Sequence, residues 1–251
     1  MTLERILIVP DCHHPFHDKR AWAGLLAFSQ AWQPHRVIIL GDFVDFYSVS
    51  FHLKDPKRRI RLKDELASGR EALKDLANSS PNASRVFIEG NHEFRFSRYL
   101  HTYAAQLDGI VSLESELGIT DLSYQYVPYK TSYEYGGVRY THDLGDVGKT
   151  AVAKAMEATG RSTVIGHVHR MQMIVNGTVD GHTHVGASFG WLGDIEHVDY
   201  TYRDRAAKDW HLGFGIGYCN NTSNKTHLAL VPFTDDYSFV MEGVLYKVET
   251  T

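Results

Sequence analysis

Five apolar runs in this chain lead into residues that bind metal ions, and that order constrains the fold more than any other feature. Runs 6–9, 37–40, 86–88 and 163–165 precede Asp11-Cys12-His13, Gly41-Asp42-Phe43-Val44-Asp45, Gly90-Asn91-His92-Glu93 and Gly166-His167-Val168-His169. The shorter run Val138-Arg139-Tyr140-Thr141 precedes His142-Asp143. A strand that ends in a ligand presents it at the edge of its sheet, where open α/β sheets bind ligands. Five such ends, far apart in sequence, can converge on one site for two metal ions.

The rest of the pattern suits an α/β protein. Helical periodicity over 19–32 carries Trp22, Leu25, Leu26, Phe28 and Trp32 and stops at Pro34. A second helix is expected over 62–76, with Leu66, Leu73 and Leu76 on one side. A third helical stretch covers 94–118, with Phe96, Tyr99, Leu100, Tyr103 and Leu107 on a broad face. Residues 46–62 read as irregular and 78–82 as a loop. Segment 132–140 reads as a β-hairpin, because Gly136-Gly137 allows a two-residue turn with positive φ. A helix over 147–158 is closed by Gly160. Beyond His169 short strands dominate, around 172–175, 184–187, 215–218, 227–232 and 239–247. Alternating strands and helices, then mostly strands, predict two packed sheets with helices outside. The 251 residues suit one large α/β domain, and no repeat or linker divides residues 1–251.

Hydrophobic residues make up 43% of the chain and charged residues 22%, enough to bury a sizeable core. A net charge of -4 argues against broad attraction to nucleic acid, though not against a local basic patch. The N-terminus leads directly into a strand and lacks the regions of a secretory signal. No apolar run approaches the roughly 18 residues of a membrane span. Two cysteines, Cys12 and Cys219, imply no disulfide framework. The expectation is a cytoplasmic protein with no membrane partner. The Asn-x-Ser/Thr matches at Asn176, Asn221 and Asn224 then have no meaning.

Pro10 and Pro15 flank the first motif and fit a bent loop, from which Asp11 and His13 can reach one ion. Asp42 follows a glycine that lets the backbone come close, and its two carboxylate oxygens can bridge two ions. Asn91 offers a carbonyl oxygen, and His142, His167 and His169 offer imidazoles. Mixed carboxylate, amide and imidazole donors without thiolate suit Mn²⁺, Fe or Zn²⁺ better than a structural zinc site. Two divalent ions roughly 3.5–4 Å apart clamp a phosphate and generate a hydroxide nucleophile. Mn²⁺ is the first choice, with Fe, Zn²⁺ or Ni²⁺ as alternatives.

In this order, Asp-x-His, Gly-Asp-x-x-Asp, Gly-Asn-His-Glu, His and Gly-His-x-His resemble the motifs of the calcineurin-like metallophosphoesterases. They run from Asp11 to His169, about two thirds of the chain. The resemblance implies a four-layer αββα sandwich of two mixed β-sheets flanked by helices. It implies that Asp11, His13, Asp42 and His169 hold one ion and Asp42, Asn91, His142 and His167 the other. It also implies that His92 faces the substrate phosphate, stabilising the transition state or protonating the leaving oxygen. The residues support that role: His92 sits beside a ligand, and imidazole titrates nearest neutrality. Asp45 and Glu93 are candidates to orient His92. The family has His-Gly where this chain has His142-Asp143, so Asp143 either adds a carboxylate beside the site or shifts His142. Residues 209–215, Asp-Trp-His-Leu-Gly-Phe-Gly, are similar to a stretch in phage and prophage members.

The expected function is hydrolysis of a phosphate ester, first a phosphodiester in nucleic acid or a small nucleotide. A phosphomonoesterase shares every metal ligand and is the alternative, and a metal-dependent binding module without turnover is the third reading. The basic run 54–63 follows Asp45 and reads either as a solvated helix start or as a salt-sensitive contact to phosphate. Arg95 and Arg98 follow His92 at helical spacing, and Arg170 adjoins His169. Arg95 and Arg170 are the substrate-binding candidates. His14 and His17 read as partly exposed loop residues, Cys12 as a small buried residue, and Trp191, Tyr200, Tyr202 and Trp210 as core. His182, His184, His197 and His211 read as structural or exposed.

Overall fold

The computed structural model describes residues 3–55, 58–197 and 209–248. Its strands, in chain order, are β1 (Glu4–Val9), β2 (Arg36–Ile39), β3 (Ser84–Ile88), β4 (Tyr124–Val127), β5 (Tyr133–Tyr135), β6 (Val138–Thr141), β7 (Thr163–Ile165), β8 (Met171–Gly177), β9 (Thr183–Phe189), β10 (Gly213–Asn220), β11 (Lys225–Pro232), β12 (Ser238–Met241) and β13 (Val244–Lys247). The α-helices are α1 (Lys19–Trp32), α2 (Leu62–Ser79), α3 (Phe94–Tyr103), α4 (Leu113–Leu117) and α5 (Ala151–Thr159).

One sheet has the order β11-β10-β1-β2-β3-β4, with β1 to β4 parallel and β10 antiparallel to β1. The other has the order β5-β6-β7-β9-β8, with β6, β7 and β9 parallel. The apolar strands β1 to β3 show little alternation because both of their faces are covered. Leu7, Val9, Val37, Ile39 and Phe87 pack in one core layer with Trp22, Leu25 and Phe28 of α1 and Leu73 and Leu76 of α2. Their sequence neighbours Ile6, Ile8, Ile38, Leu40, Val86 and Ile88 point the other way, onto Val138, Tyr140, Val164, Ala187 and Phe189 of the second sheet. Ala151, Val152 and Ala155 of α5 close the far side against Ile165. The layers are therefore helix, sheet, sheet, helix, the predicted αββα sandwich of two mixed sheets. Each fully buried aliphatic or Phe side chain in these layers contributes about 1.5–3 kcal/mol.

Local chemistry sets the element ends. Asp18 caps α1, its Oδ1 accepting from the N–H groups of Arg20 and Ala21 at 2.9 Å each. Gln33 closes α1 in the left-handed region, just before Pro34. Gly136 and Gly137 both have positive φ, as the hairpin between β5 and β6 requires.

The structure departs from the expectations at four places. The stretch 94–118 is not one helix: Ala104 leaves helical geometry, and α4 begins afresh at its Ser112 cap and ends at Gly118. The run 239–247 is a hairpin, β12 and β13, because Glu242 and Gly243 turn the chain at positive φ. Strand β4, with Tyr124 and Val127 buried, was not read from the sequence, and α2 runs on to Ser79. Among the described residues no helix is long and apolar enough to cross a membrane.

Candidate metal centre

The loops that follow β1, β2, β3, β6 and β7 meet at one edge of the sandwich. Asp11, His13 and His169 place donor atoms within 4.8 Å of one another, as do His13, Asp42 and His92, and Asp42, His142 and His167. His13 and Asp42 each belong to two groups, so the donors form a continuous cluster. His13 Nε2 lies 3.2 Å from His169 Nε2, which is 3.1 Å from Asp11 Oδ2. His142 Nε2 lies 3.3 Å from Asp42 Oδ2 and 2.8 Å from Asn91 Oδ1. All these donors except Asn91, His92 and His167 are buried.

The backbone bends hard to achieve this. His13, Asp42, His167 and His169 all have positive φ, a region that costs non-glycine residues energy and that clusters at functional sites. Gly90 is needed for close approach: a Cβ there would sit 2.3 Å from the backbone nitrogen and from Oδ1 of Asp42. The two sheets are joined at the site itself. The ring Nδ1–H of His142 donates to the Leu40 carbonyl at 2.8 Å, which leaves Nε2 free as a donor atom. The His167 N–H donates to both Asp11 oxygens, at 3.0 and 2.9 Å.

Electrostatics match the geometry. Burial alone would raise Asp42, but the imidazoles of His142 and His92 outweigh it and hold the carboxyl well below the usual range. His142 is pushed up to about 10 against its burial, chiefly by Asp42. The carboxylate that raises His142 marks a place that attracts positive charge. The oxygen and nitrogen donor set fits two hard or borderline divalent ions. Cys12 takes no part, since its Sγ turns to the Pro10 carbonyl at 3.2 Å and burial pushes its thiol up.

His92 borders the cluster. Its Nδ1–H donates to the Asp45 carbonyl at 2.9 Å, and Asp45 Oδ2 also reaches His13 Nδ1 at 3.2 Å. Arg95 donates to the Asp45 carbonyl at 3.0 Å and to His92 Nε2 at 2.9 Å. Arg170 forms an ion pair with Asp209 at 2.5 Å.

Glu93 does not orient His92. Its buried carboxylate accepts from the N–H groups of Asp42, Val44 and Gly90, at 2.9, 2.8 and 2.9 Å, and so ties two ligand loops together. Burial, then Asp42, pushes it up to about 8. Asp143 accepts from Lys130 Nζ and from the Gly145 N–H, and it leaves His142 in place. His14 is buried rather than exposed, packed against His17, Trp22 and Phe43. His17 is partly exposed.

Trp191 is buried, but as a wall of the site: its ring stacks on His169 at 4.9 Å, with Trp210 edge-on to His169 at 4.3 Å. Bridging of Trp191 to Asp11 and Leu212 puts it there, a pairing that no local sequence signal announces. Tyr200 and Tyr202 lie outside the described residues. In the basic run, Arg61 pairs with Asp64, and the Arg58 guanidinium lies over Phe16 and Tyr47 at 4.6 and 4.7 Å.

A four-layer sandwich with a nitrogen and oxygen donor cluster at its strand ends defines the metallophosphoesterase class of fold. The chain belongs to the calcineurin-like phosphoesterase family, whose model matches residues 4–219. The "Gene 54 protein" of Mycobacterium phage D29 is 27% identical over 98% of this chain and 99% of its own length. Its namesake from Mycobacterium phage L5 is 30% identical over 66% of this chain and 69% of its own length. These relatives agree with the expected phage kinship. In fold the chain is similar to the crystal structure of Chaetomium thermophilum Vps29, with a TM-score of 0.50 and 10% identity over 98% of this chain and 100% of that one.

Proposed function

We propose that this protein is a phosphodiesterase working with two divalent ions, Mn²⁺ in the first instance. Asp11, His13, Asp42 and His169 would hold one ion, and Asp42, Asn91, His142 and His167 the other. The observation that carries this reading is the sharing of Asp42 and His13 between overlapping donor groups. Bound ions of this kind supply Lewis acidity and a nucleophile at neutral pH.

The remaining work falls to side chains of this chain. Asp45 fixes the His92 ring through its carbonyl, and Nε2 accepts from Arg95 at the edge of the donor cluster, so a phosphoryl oxygen that takes up the Arg95 guanidinium would free Nε2. There it can hold a proton for the departing oxygen. The Arg95 guanidinium reaches the same point and offsets phosphoryl charge. Support for a diester comes from Arg98, which follows Arg95 by three residues along α3 and so adds a second cation on the helix that starts beside His92.

The test compares kcat/KM for bis-p-nitrophenyl phosphate and p-nitrophenyl phosphate with added Mn²⁺. A clear diester preference is expected. A monoester preference would replace this reading with a phosphomonoesterase. Absence of turnover in protein loaded with two metals would favour a binding module. His92→Ala should lower kcat by about 10²–10⁴ with metal content unchanged, and a wild-type rate would remove His92 from the mechanism.

A further inference from the structure

We propose that the surface running outward from His92 along α3, with the facing segment 51–54, is a stacking platform for single-stranded nucleic acid. This substrate class rests on the phosphodiesterase reading above.

α3 begins at Phe94, two residues after His92, and of its ten residues only Phe96 is buried. Phe94, Tyr99 and Tyr103 are exposed, and so are Phe51 and Leu53 on the facing segment. Phe94 packs on Tyr129 at 5.3 Å, and the rings of Phe51, Tyr99 and Tyr103 form a connected surface. Tyr103 lies 5.1 Å from Tyr99 and 6.1 Å from Phe51, and the last pair is parallel to within 16°. The Arg98 guanidinium sits over Phe51 at 4.3 Å. Residues 94–107 contain Arg95, Arg98 and His101 but no Asp or Glu, and Lys54 adds a cation on the facing segment. The next acidic residue along the chain, Asp108, lies at the far end, 3.8 Å from His101.

A helix that merely faces water has no need of exposed rings. A helix that docks an apolar protein surface has no need of a cationic fringe. Ring faces interleaved with arginines, with Asp45 held against Arg95 at the inner end and Asp55 after Lys54, match what a single strand presents: unpaired base faces and a phosphate chain. From Arg95 to Tyr103 the helix rises about 12 Å. That is room for about three stacked nucleotides at the roughly 3.4 Å spacing of one strand. The inner end of this track is Arg95, in contact with His92, so a strand lying on it has a phosphodiester at the centre. In a duplex the base faces are already stacked and are not available to these rings, which makes the surface selective for single strands.

The test uses full-length, Mn²⁺-loaded protein with Phe51→Ala, Arg98→Ala, Tyr99→Ala and Tyr103→Ala, singly and as Tyr99→Ala/Tyr103→Ala. Circular dichroism confirms that each variant folds. The readout is the ratio of kcat/KM on a 12-nucleotide single strand to kcat/KM on bis-p-nitrophenyl phosphate, which is too small to extend from Arg95 to Phe51, Tyr99 and Tyr103. Loss of one stacking ring should lower that ratio about 5- to 150-fold, and wild-type protein should prefer the single strand over the matching duplex. An unchanged ratio, or equal cleavage of the duplex, overturns the platform while leaving the phosphodiesterase reading intact. If wild-type protein hydrolyses no diester, the phosphodiesterase reading fails by itself. The platform is then judged by fluorescence anisotropy with a labelled 12-mer of thymidine: weaker binding by the ring variants upholds it, and equal binding overturns it.

Discussion

Gly69 offers a sharp test of how α2 supports the metal loops. It lies inside α2, and a Cβ there would meet Val44 Cγ2 at 2.5 Å and Leu117 Cδ2 at 3.1 Å. Val44 is fully buried between Asp42 and Asp45, and its N–H donates to Glu93 at 2.8 Å. Any shift of Val44 therefore pulls on a ligand loop. Gly69→Ala gains about 1 kcal/mol of helix propensity and loses about 1–3 kcal/mol to overpacking. The net expectation is destabilisation of about 0–2 kcal/mol. Val44→Ala removes the methyl that clashes. In that background Gly69→Ala should be stabilising, giving a favourable coupling of about 1–3 kcal/mol in the double-mutant cycle. Urea unfolding with a common m-value measures it. Diester turnover should fall in the Gly69→Ala single variant, because Val44 moves with Asp42. If Gly69→Ala has the same effect in both backgrounds, within about 0.3 kcal/mol, the contact does not act as described.

Three further outcomes are expected. Glu93→Gln leaves at least one of the three N–H groups facing an amide NH₂, and Mn²⁺ affinity by calorimetric titration should fall about 10- to 100-fold; unchanged affinity would show that the brace does not position the ligands. Burial raises the Glu65 carboxyl above its ordinary 4.5, although it accepts from the Tyr47 and Ser48 N–H groups. The folded state then holds this proton longer than the unfolded chain does, so the stability it lends is complete below the unfolded value and is lost as pH rises through the folded one. Tm for Glu65→Gln relative to wild type should therefore improve as pH rises from about 4 to 7, and a flat difference refutes the shift. Mn²⁺ at about 100 times its Kd should stabilise the protein by about 2.7 kcal/mol. Thermal melts should show that shift nearly lost in Asp42→Asn, which removes a donor from two groups, and kept in Asp143→Asn, whose carboxylate is turned to Lys130; the same loss in both variants contradicts the assignment.

Much of this molecule is legible along the chain. The strand ends carrying Asp11, Asp42, Asn91, His142 and His167 could be read because a buried strand and the loop after it are local patterns of apolar and polar residues. Helix α1 could be read because its period, its Asp18 cap and its Pro34 stop are all written within a few turns. Strand β4 and the hairpin of β12 and β13 are harder to read, since each strand is only four residues long and β4 pairs with the distant β3.

What tertiary structure alone decided is where the side chains around the site point. Glu93 lies next to His92 in sequence yet binds the backbone of Asp42 and Val44, because the β2 and β3 loops meet there. His14 lies next to a ligand yet is buried against Trp22 and Phe43, because α1 packs over that loop. Trp191 walls the site through a bridge to Asp11, 180 positions away. Residue type and strand period are properties of neighbours in the chain, so the sequence by itself determined the candidate donor residues and the layer order. Contacts between loops depend on sheet pairing and helix packing at long range, so only the folded chain decided which residues brace that set.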